Sequence, residues 1–226
     1  KQPALILKTN GATYSIMDRE DCLRKINEIK SMFPKDWKLP NVYLLHGSLS
    51  DDEMNKLYNH SKVKAFVSLT HGEGFGRPLL EATMAGLPVI ASAWSGQCDF
   101  LSQKDSLLLG GNLVKVPDSQ LWKDIIIKDS QWFNVNETQA YKSMNYCFKE
   151  IDEVEERALN LMKTNRDKFT LNKMVEKLDE IVTEKTSHMS TQVGIQLPKL
   201  KKVSALEQSP KIKLPKLKKA TSEVTV

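Results

Sequence analysis

The residues best suited to chemistry lie in one run, Thr70-His-Gly-Glu-Gly-Phe-Gly-Arg-Pro-Leu-Leu-Glu81. Gly72, Gly74 and Gly76 followed by Pro78 describe a turn that enters a helix, because proline suits the first helical turn. Glycines let backbone N–H groups approach a ligand closely, and the helix N-terminus adds roughly half a positive charge. The glycine turn and the helix N-terminus together therefore form a candidate seat for a diphosphate. Two carboxylates accompany it: Glu73 in the turn, and Glu81 about one turn into the helix. Acids beside an anion site repel the anion unless they bind something neutral. Sugar and ribose hydroxyls are such groups, and charge-assisted bonds to them contribute about 1.5–3 kcal/mol each. The plainer alternative makes Glu81 a first-turn helix acid and Glu73 a solvated loop acid. His71 precedes Glu73 at a strand's carboxyl end, where it either touches a sugar or caps the strand. Arg77 either assists the phosphates or is an exposed arginine of the first helical turn.

The elements that must hold this segment are legible in the apolar pattern. Ala4-Leu-Ile-Leu-Lys8 reads as a buried strand closed by the turn Thr9-Asn10-Gly11. Leu23, Ile26, Ile29 and Phe33 recur at helical spacing, ended by Pro34. Val42–Leu45 is a second strand, followed by His46 and Gly47. Ser50 and Glu53 make a capping box, opening a helix with Met54, Leu57 and Tyr58 on its apolar face. Ala65–Leu69 and Leu87–Ala91 are the third and fourth strands, with Gly86 ending the short helix between them. Strand and helix alternate at a spacing that predicts an α/β fold, a Rossmann-like parallel sheet with helices on both faces. Such sheets bind ligands at the carboxyl ends of their strands. Trp94-Ser-Gly-Gln97 follows the fourth strand and reads as a loop facing the site. Trp132 and Phe133 read as packing anchors before a long helical stretch that starts at Asn136 and runs towards Phe169. Thr170 to Lys185 gives a last amphipathic helix.

Composition bounds the rest. Apolar residues are 40% and charged residues 27% of the 226, enough for a packed domain, and the charged share is near the globular average of about 25%. No apolar run approaches the roughly 18 residues of a membrane helix. Cys22, Cys98 and Cys147 form no CxxC pair, which speaks against a disulfide framework or a cysteine zinc site and favours a reducing, cytoplasmic setting. The net charge is +5, but residues 186–226 hold eight Lys and two Glu, a net of +6. The remainder holds 25 basic and 26 acidic residues, a net of −1, so its charge does not suit nucleic acid. The hexamer Leu-Pro-Lys-Leu-Lys-Lys occurs at 197–202 and 214–219, and proline in each copy blocks a continuous helix. We therefore expect a donor domain over 1–185 and a Lys/Pro-rich, disordered tail over 186–226. The tail suits an anionic membrane surface, at which the protein would be peripheral, or a protein partner, or is a solvated extension. The sequence opens at Lys1 in what reads as the approach to a strand, so a preceding N-terminal part is expected.

Glu73-x7-Glu81 within EGFGRPLLEATMAGLPVIAS (73–92) resembles the donor-site signature of group 1 retaining glycosyltransferases of the GT-B fold. LILKT (5–9), VYLLHGSLSDDEMNKLY (42–58), AFVSLTHGEGFGRP (65–78) and ASAWSGQCDFL (91–101) fit in order. The resemblance spans roughly residues 3–185 and implies the C-terminal, donor-binding half of a GT-B fold. It implies that Glu81 holds the ribose, that Glu73 is the catalytic-site acid on the donor sugar, and that Gly74, Phe75 and Gly76 offer N–H groups. The turn His46 to Leu49, with Gly47 and Ser48, would lie near the base. The substrate would be a nucleoside-diphosphate-sugar, with retention, no metal and no cofactor. The acceptor is left open, and the family's Arg and Lys on the diphosphate have no counterpart here. Lys8 does not match that motif. The lone chain is accordingly expected to be inactive without its N-terminal partner half. A GT-B-fold sugar-nucleotide epimerase and a non-catalytic binding or scaffold module are the alternatives. The epimerase would need flanking acid–base residues, of which this segment shows no clear set.

Overall fold

The computed structural model describes residues 2–9, 15 and 17–188. Both LPKLKK copies, nearly all of the 186–226 tail, and the Asn10-Gly11 portion of the first turn lie outside the described residues. The chain divides into two units, Lys1–Ile181 and Val182–Val226. What is described of the second is helical to Thr186, whose Oγ1 donates to the Val182 carbonyl at 2.7 Å.

Three parallel strands form the centre: β3 (Phe66–Ser68), β4 (Val89–Ser92) and β5 (Leu107–Leu109), in the order β3-β4-β5. Phe66 lies opposite Val89 and Ile90 opposite Leu107. Every residue of β4 is buried, as its run Val-Ile-Ala-Ser requires of a strand covered on both faces. β1 (Leu5–Thr9) and β2 (Val42–His46) make a separate parallel pair, Leu5 beside Val42 through Thr9 beside His46. The sheet is α/β and parallel as expected, but its hydrogen bonding falls into two pieces. A third piece was not foreseen. β6 (Gly111–Lys115) and β7 (Gln131–Val135) pair antiparallel, because residues 116–130 turn the chain back on itself.

Helix α1 (Met17–Ser31) has the expected period yet buries nothing, and Phe33 falls beyond its end and stacks on Trp37 at 6.0 Å. α2 (Asp51–Tyr58) opens with Ser50 and Glu53 reciprocally bonded as a capping box. α3 (Arg77–Met84) carries Pro78 in its first turn and is followed by Gly86 at φ +75°. The helical stretch after Asn136 is two helices, α4 (Glu137–Lys149) and α5 (Ile151–Lys168), broken at Glu150, where φ is −110° and ψ is 45°. Ala140, Cys147 and Val154 join Ile90 and Leu109 in one core cluster, while Leu161 joins Leu79, Ala82 and Phe100 in another. α6 (Leu171–Thr186) completes the described chain and has no buried residue.

α5 fixes α3 through specific bonds as well as apolar contact. Asn165, 1% exposed, donates Nδ2 to Thr83 Oγ1 at 2.8 Å and to the Phe100 carbonyl at 3.3 Å. Arg166 Nε donates to the Met84 carbonyl at 2.8 Å, satisfying one of the orphan acceptors at the end of α3. Replacing Asn165 with Ala should leave the Thr83 hydroxyl without its buried partner, at about 2 kcal/mol. The thermal midpoint, followed by circular dichroism, should fall by about 4–8 °C; an unchanged midpoint would show that α3 is held by apolar contact alone.

Candidate functional site

The turn 70–76 leaves the carboxyl end of β3, and the loop 93–97 leaves the carboxyl end of β4, its parallel neighbour. Adjacent parallel strands bring these two loops side by side. The Glu73 carbonyl accepts from Ser95 Oγ at 2.6 Å and from the Gly96 N–H at 3.1 Å. Gly96 sits so close that a Cβ built on it would lie 2.2 Å from the Gly74 carbonyl oxygen. Only glycine fits, because any side chain would drive the two loops apart. Ser95 itself holds φ 74° and ψ −160°, a region populated almost only by glycine and costing about 1–3 kcal/mol. Strain of this kind persists where the surroundings over-determine it. Beneath the loops Gln97, fully buried, donates to the Ser92 carbonyl at 3.0 Å and to Ser92 Oγ at 2.8 Å.

Gly76 is the N-cap of α3 with φ 88°, a left-handed conformation that lets the turn feed straight into the helix. Its own Cβ position is hemmed by Leu79, Gln97 and Phe100. The Gly76 carbonyl already accepts the first helical bond, from the Leu80 N–H at 3.0 Å. Gly74 has open space where a Cβ would be. The Phe75 ring packs on Phe100 at 5.2 Å and on Phe169 at 6.3 Å between ring centres, yet stays 42% exposed.

Arg77 and Glu81 lie one turn apart on α3 and form an ion pair, Nε to Oε1 at 2.8 Å. Arg77 is 76% exposed and Glu81 39%, so the pair itself adds little stability. Both line a cavity of about 570 Å³ between α2, α3 and the end of α5, with Asp51, Asn55, Tyr58, Arg166 and Phe169 among its walls. Tyr58 is 6% exposed and its hydroxyl has no hydrogen-bond partner. Burial pushes its pKa up to about 12, with the Glu81 carboxylate adding to the effect and Arg77 opposing it.

His71 is engaged with β7. Its Nδ1 lies 2.8 Å from the Phe133 carbonyl, and the Phe133 N–H donates to the His71 carbonyl at 3.2 Å. A carbonyl only accepts, so Nδ1 carries the proton of that bond and Nε2 is the nitrogen left over. The His71 ring also stacks on Trp132, centres 4.1 Å apart and planes within 5°. Gly47, at φ 102°, accepts Lys8 Nζ at 2.6 Å on its carbonyl and donates its N–H to Thr9 at 3.1 Å. Ser48 is exposed beside it. Of the expected residues the cavity gathers Arg77 and Glu81; Gly47, Ser48, His71, Glu73, Gly74, Phe75 and Gly76 are not among its walls. Glu73 and the glycines belong instead to the clamp between the β3 and β4 loops. Sequence reasoning missed Tyr58 as a wall of the cavity, and it placed Gly96 in a loop facing the site without its close approach to Gly74. That approach left no local signal, since Gly74 is 22 residues away in the chain.

Residues 35–130 match the sequence pattern of the family described as Glycosyl transferases group 1. No curated protein matches the sequence significantly. Among solved structures, Anabaena HepE in complex with UDP and glucose superposes with a TM-score of 0.54 at 14% identity, over 80% of this chain and 40% of that one. HepE in complex with UDP-glucose gives 0.52 at 15% identity, over 80% and 41%. The chain therefore spans about two fifths of the length of these structures. The fold is α/β, parallel sheets flanked by helices, matching one half of a GT-B glycosyltransferase.

Two measurements test this geometry. Gly96→Ala should displace the 73–76 turn and lower stability by about 1–3 kcal/mol, visible as amide shift changes at Gly74 and Phe75 together with a reduced thermal midpoint. An unperturbed spectrum would sink the close approach. The raised Tyr58 pKa has a defined sign: the folded state keeps the neutral phenol, so its contribution is complete below pH 10 and is lost as pH rises to about 12. Denaturant titrations of wild type should therefore lose about 2 kcal/mol more than Tyr58→Phe across that window; parallel curves would contradict it.

Proposed function

We propose that this chain is the donor-binding half of a glycosyltransferase that moves a sugar from a nucleoside diphosphate to a hydroxyl acceptor. The observation that carries this reading is the locked turn 73–76 at the carboxyl end of β3, running into α3 with Arg77 and Glu81 at the mouth of a cavity. The match over residues 35–130 supports it, as does the likeness of the fold to a protein whose complexes hold UDP with glucose, and UDP-glucose.

In this reading Glu81 binds the ribose hydroxyls from the wall of the cavity, whose apolar side is built by Met54, Leu80, Met84 and Phe169. Arg77 engages Glu81 through Nε, and its remaining guanidinium N–H groups serve the diphosphate. Arg77 thus takes part of the role of the family cations that this sequence does not carry. The N–H groups of Gly74, Phe75 and Gly76 with the α3 N-terminus stabilise the phosphates or the sugar. Glu73 accepts hydroxyls of the donor sugar and fixes it against the acceptor, with His71 Nε2 next in line. Gly47 and Ser48, steadied by Lys8, lie by the base.

Transfer proceeds with retention on one face of the sugar, the leaving diphosphate taking the acceptor's proton. It requires no metal and no cofactor, because backbone dipoles and Arg77 carry the developing charge. The acceptor comes from the N-terminal half, without which the chain binds donor weakly and turns nothing over. The Lys-rich tail is left for an anionic surface or a protein partner at a cytoplasmic location.

Saturation-transfer NMR with UDP, GDP and ADP and their sugar conjugates tests the reading. One nucleotide should give transfer, and Glu81→Ala should weaken its affinity about tenfold, the equivalent of one charge-assisted bond. Glu73→Ala should leave nucleotide affinity nearly intact and abolish turnover in the complete enzyme. Equal loss of nucleotide affinity in both variants would refute this division of labour, and silence for all nucleotides in the complete enzyme would favour a scaffold.

A further inference from the structure

The β6–β7 arm does more at the site than pack. Phe133, 7% exposed, stacks on Trp94 with the two ring planes within 4° and their centres 5.6 Å apart. Trp94 stands in the loop after β4, immediately before the strained Ser95, and remains 41% exposed. One face of the indole is thus backed by Phe133 while the residue keeps substantial contact with solvent. The ring lies alongside the glycine turn: a Cβ on Gly72 would be 3.9 Å from Trp94 Cδ1. Glu73, the next residue in that turn, is tied to Ser95 and Gly96 by the two bonds to its carbonyl. The indole and the Glu73 backbone are therefore held in one fixed relation.

The backing ring is itself immobilised. A Cβ on Gly111 would fall 2.1 Å from the Asn134 carbonyl oxygen and 2.9 Å from Phe133 Cε1, so β6 presses directly on the Phe133 ring. On the other side His71 joins β7 through the pair of bonds with Phe133 and through its stack on Trp132. Fixing an aromatic plate this thoroughly while leaving it partly bare is poor use of an apolar residue, unless a ligand covers it. The ligand must be flat and weakly positive on one side, since the face of an aromatic ring is its negative part. It must also suit a carboxylate that accepts hydroxyls. A pyranose ring meets both demands: its C–H face carries slight positive charge, and its edge carries hydroxyl donors.

We propose that Trp94 is a stacking plate for a pyranose ring, held by Phe133 beside Glu73. This inference rests on the donor-site reading above for the role of Glu73, and two sugars have the required chemistry: the sugar of the donor and a sugar of the acceptor. Preformation of the plate lowers the ordering cost of binding. Trp94 is a binding residue in this account, with no part in bond making.

The test uses the 226-residue chain with UDP, UDP-glucose, and maltose in the presence of UDP. Saturating the indole signals of Trp94, assigned by their loss in Trp94→Phe among the four tryptophans, should transfer to glucose-ring protons. Transfer to UDP-glucose marks the donor sugar as the occupant; transfer to maltose marks an acceptor sugar. Trp94→Leu, which keeps apolar contact with Phe133 but has no flat face, should weaken the bound sugar ligand about fivefold to tenfold. Affinity for UDP should stay within about twofold in the same variant, and Trp94→Phe should recover most of the loss. Sugar binding that Trp94→Leu leaves unchanged overturns the proposal, as does absence of transfer to either sugar. Transfer to maltose with no binding of UDP or UDP-glucose would keep the plate and discard the donor-site reading. Binding of UDP with no transfer to either sugar would do the reverse.

Discussion

Two consecutive strand ends meet at a single carbonyl, that of Glu73, which receives the Ser95 hydroxyl and the Gly96 N–H. The rest of the site hangs on this contact. Because β3 and β4 are parallel neighbours, the loops leaving them emerge at one edge, and only the absence of a side chain at Gly96 lets them close to hydrogen-bonding distance. Opening that contact would free the turn 73–76 and uncouple it from the N-terminus of α3. The strain stored at Ser95 is consistent with such a demand, since a conformation of that energy survives only where several other interactions insist on it.

The helix behind the turn is secured from its opposite end. Asn165 and Arg166 of α5 bond to Thr83, Phe100 and Met84, while Leu79, Ala82 and Leu161 share an apolar cluster. α3 is only eight residues long, too short to be stable by itself in water. Its dipole and its two charged side chains are therefore presented by tertiary contacts. The same α5 closes one wall of the cavity through Arg166 and Phe169, so core packing and cavity shape vary together.

A further constraint comes from the antiparallel arm. β6 and β7 lie outside the parallel strands, yet they supply the rings that stack on His71 and Trp94. The arm converts what would be two mobile loop side chains into oriented ones. It also explains why the His71 ring has one nitrogen committed to the backbone, which fixes the plane in which the other nitrogen acts. Among the described residues no group of His, Cys, Asp and Glu is arranged to hold a metal ion, and no helix is long and apolar enough to cross a membrane.

The chain of local rules was readable without coordinates wherever a residue's partner lies within a few positions. The capping box of Ser50 and Glu53, Gly86 after α3, and the Asn136 cap all pair with groups three residues away, and Pro78 suits the first turn of α3 because it lacks an N–H that would have no helical partner there. The alternation of apolar runs likewise shows an α/β chain, and the run EGFGRPLLE shows a glycine turn that enters a helix. Pairings between distant residues were not readable. Gly96 against Gly74, Phe133 against Trp94, and Glu81 sharing a cavity with Tyr58 depend on which strands become neighbours. The sparse burial of α1 likewise depends on what packs beside it. A periodic pattern states which face of an element is apolar, because that is a property of spacing along one helix or strand. Which surface meets that face is decided by the whole set of contacts at once, and that exists only in the folded molecule.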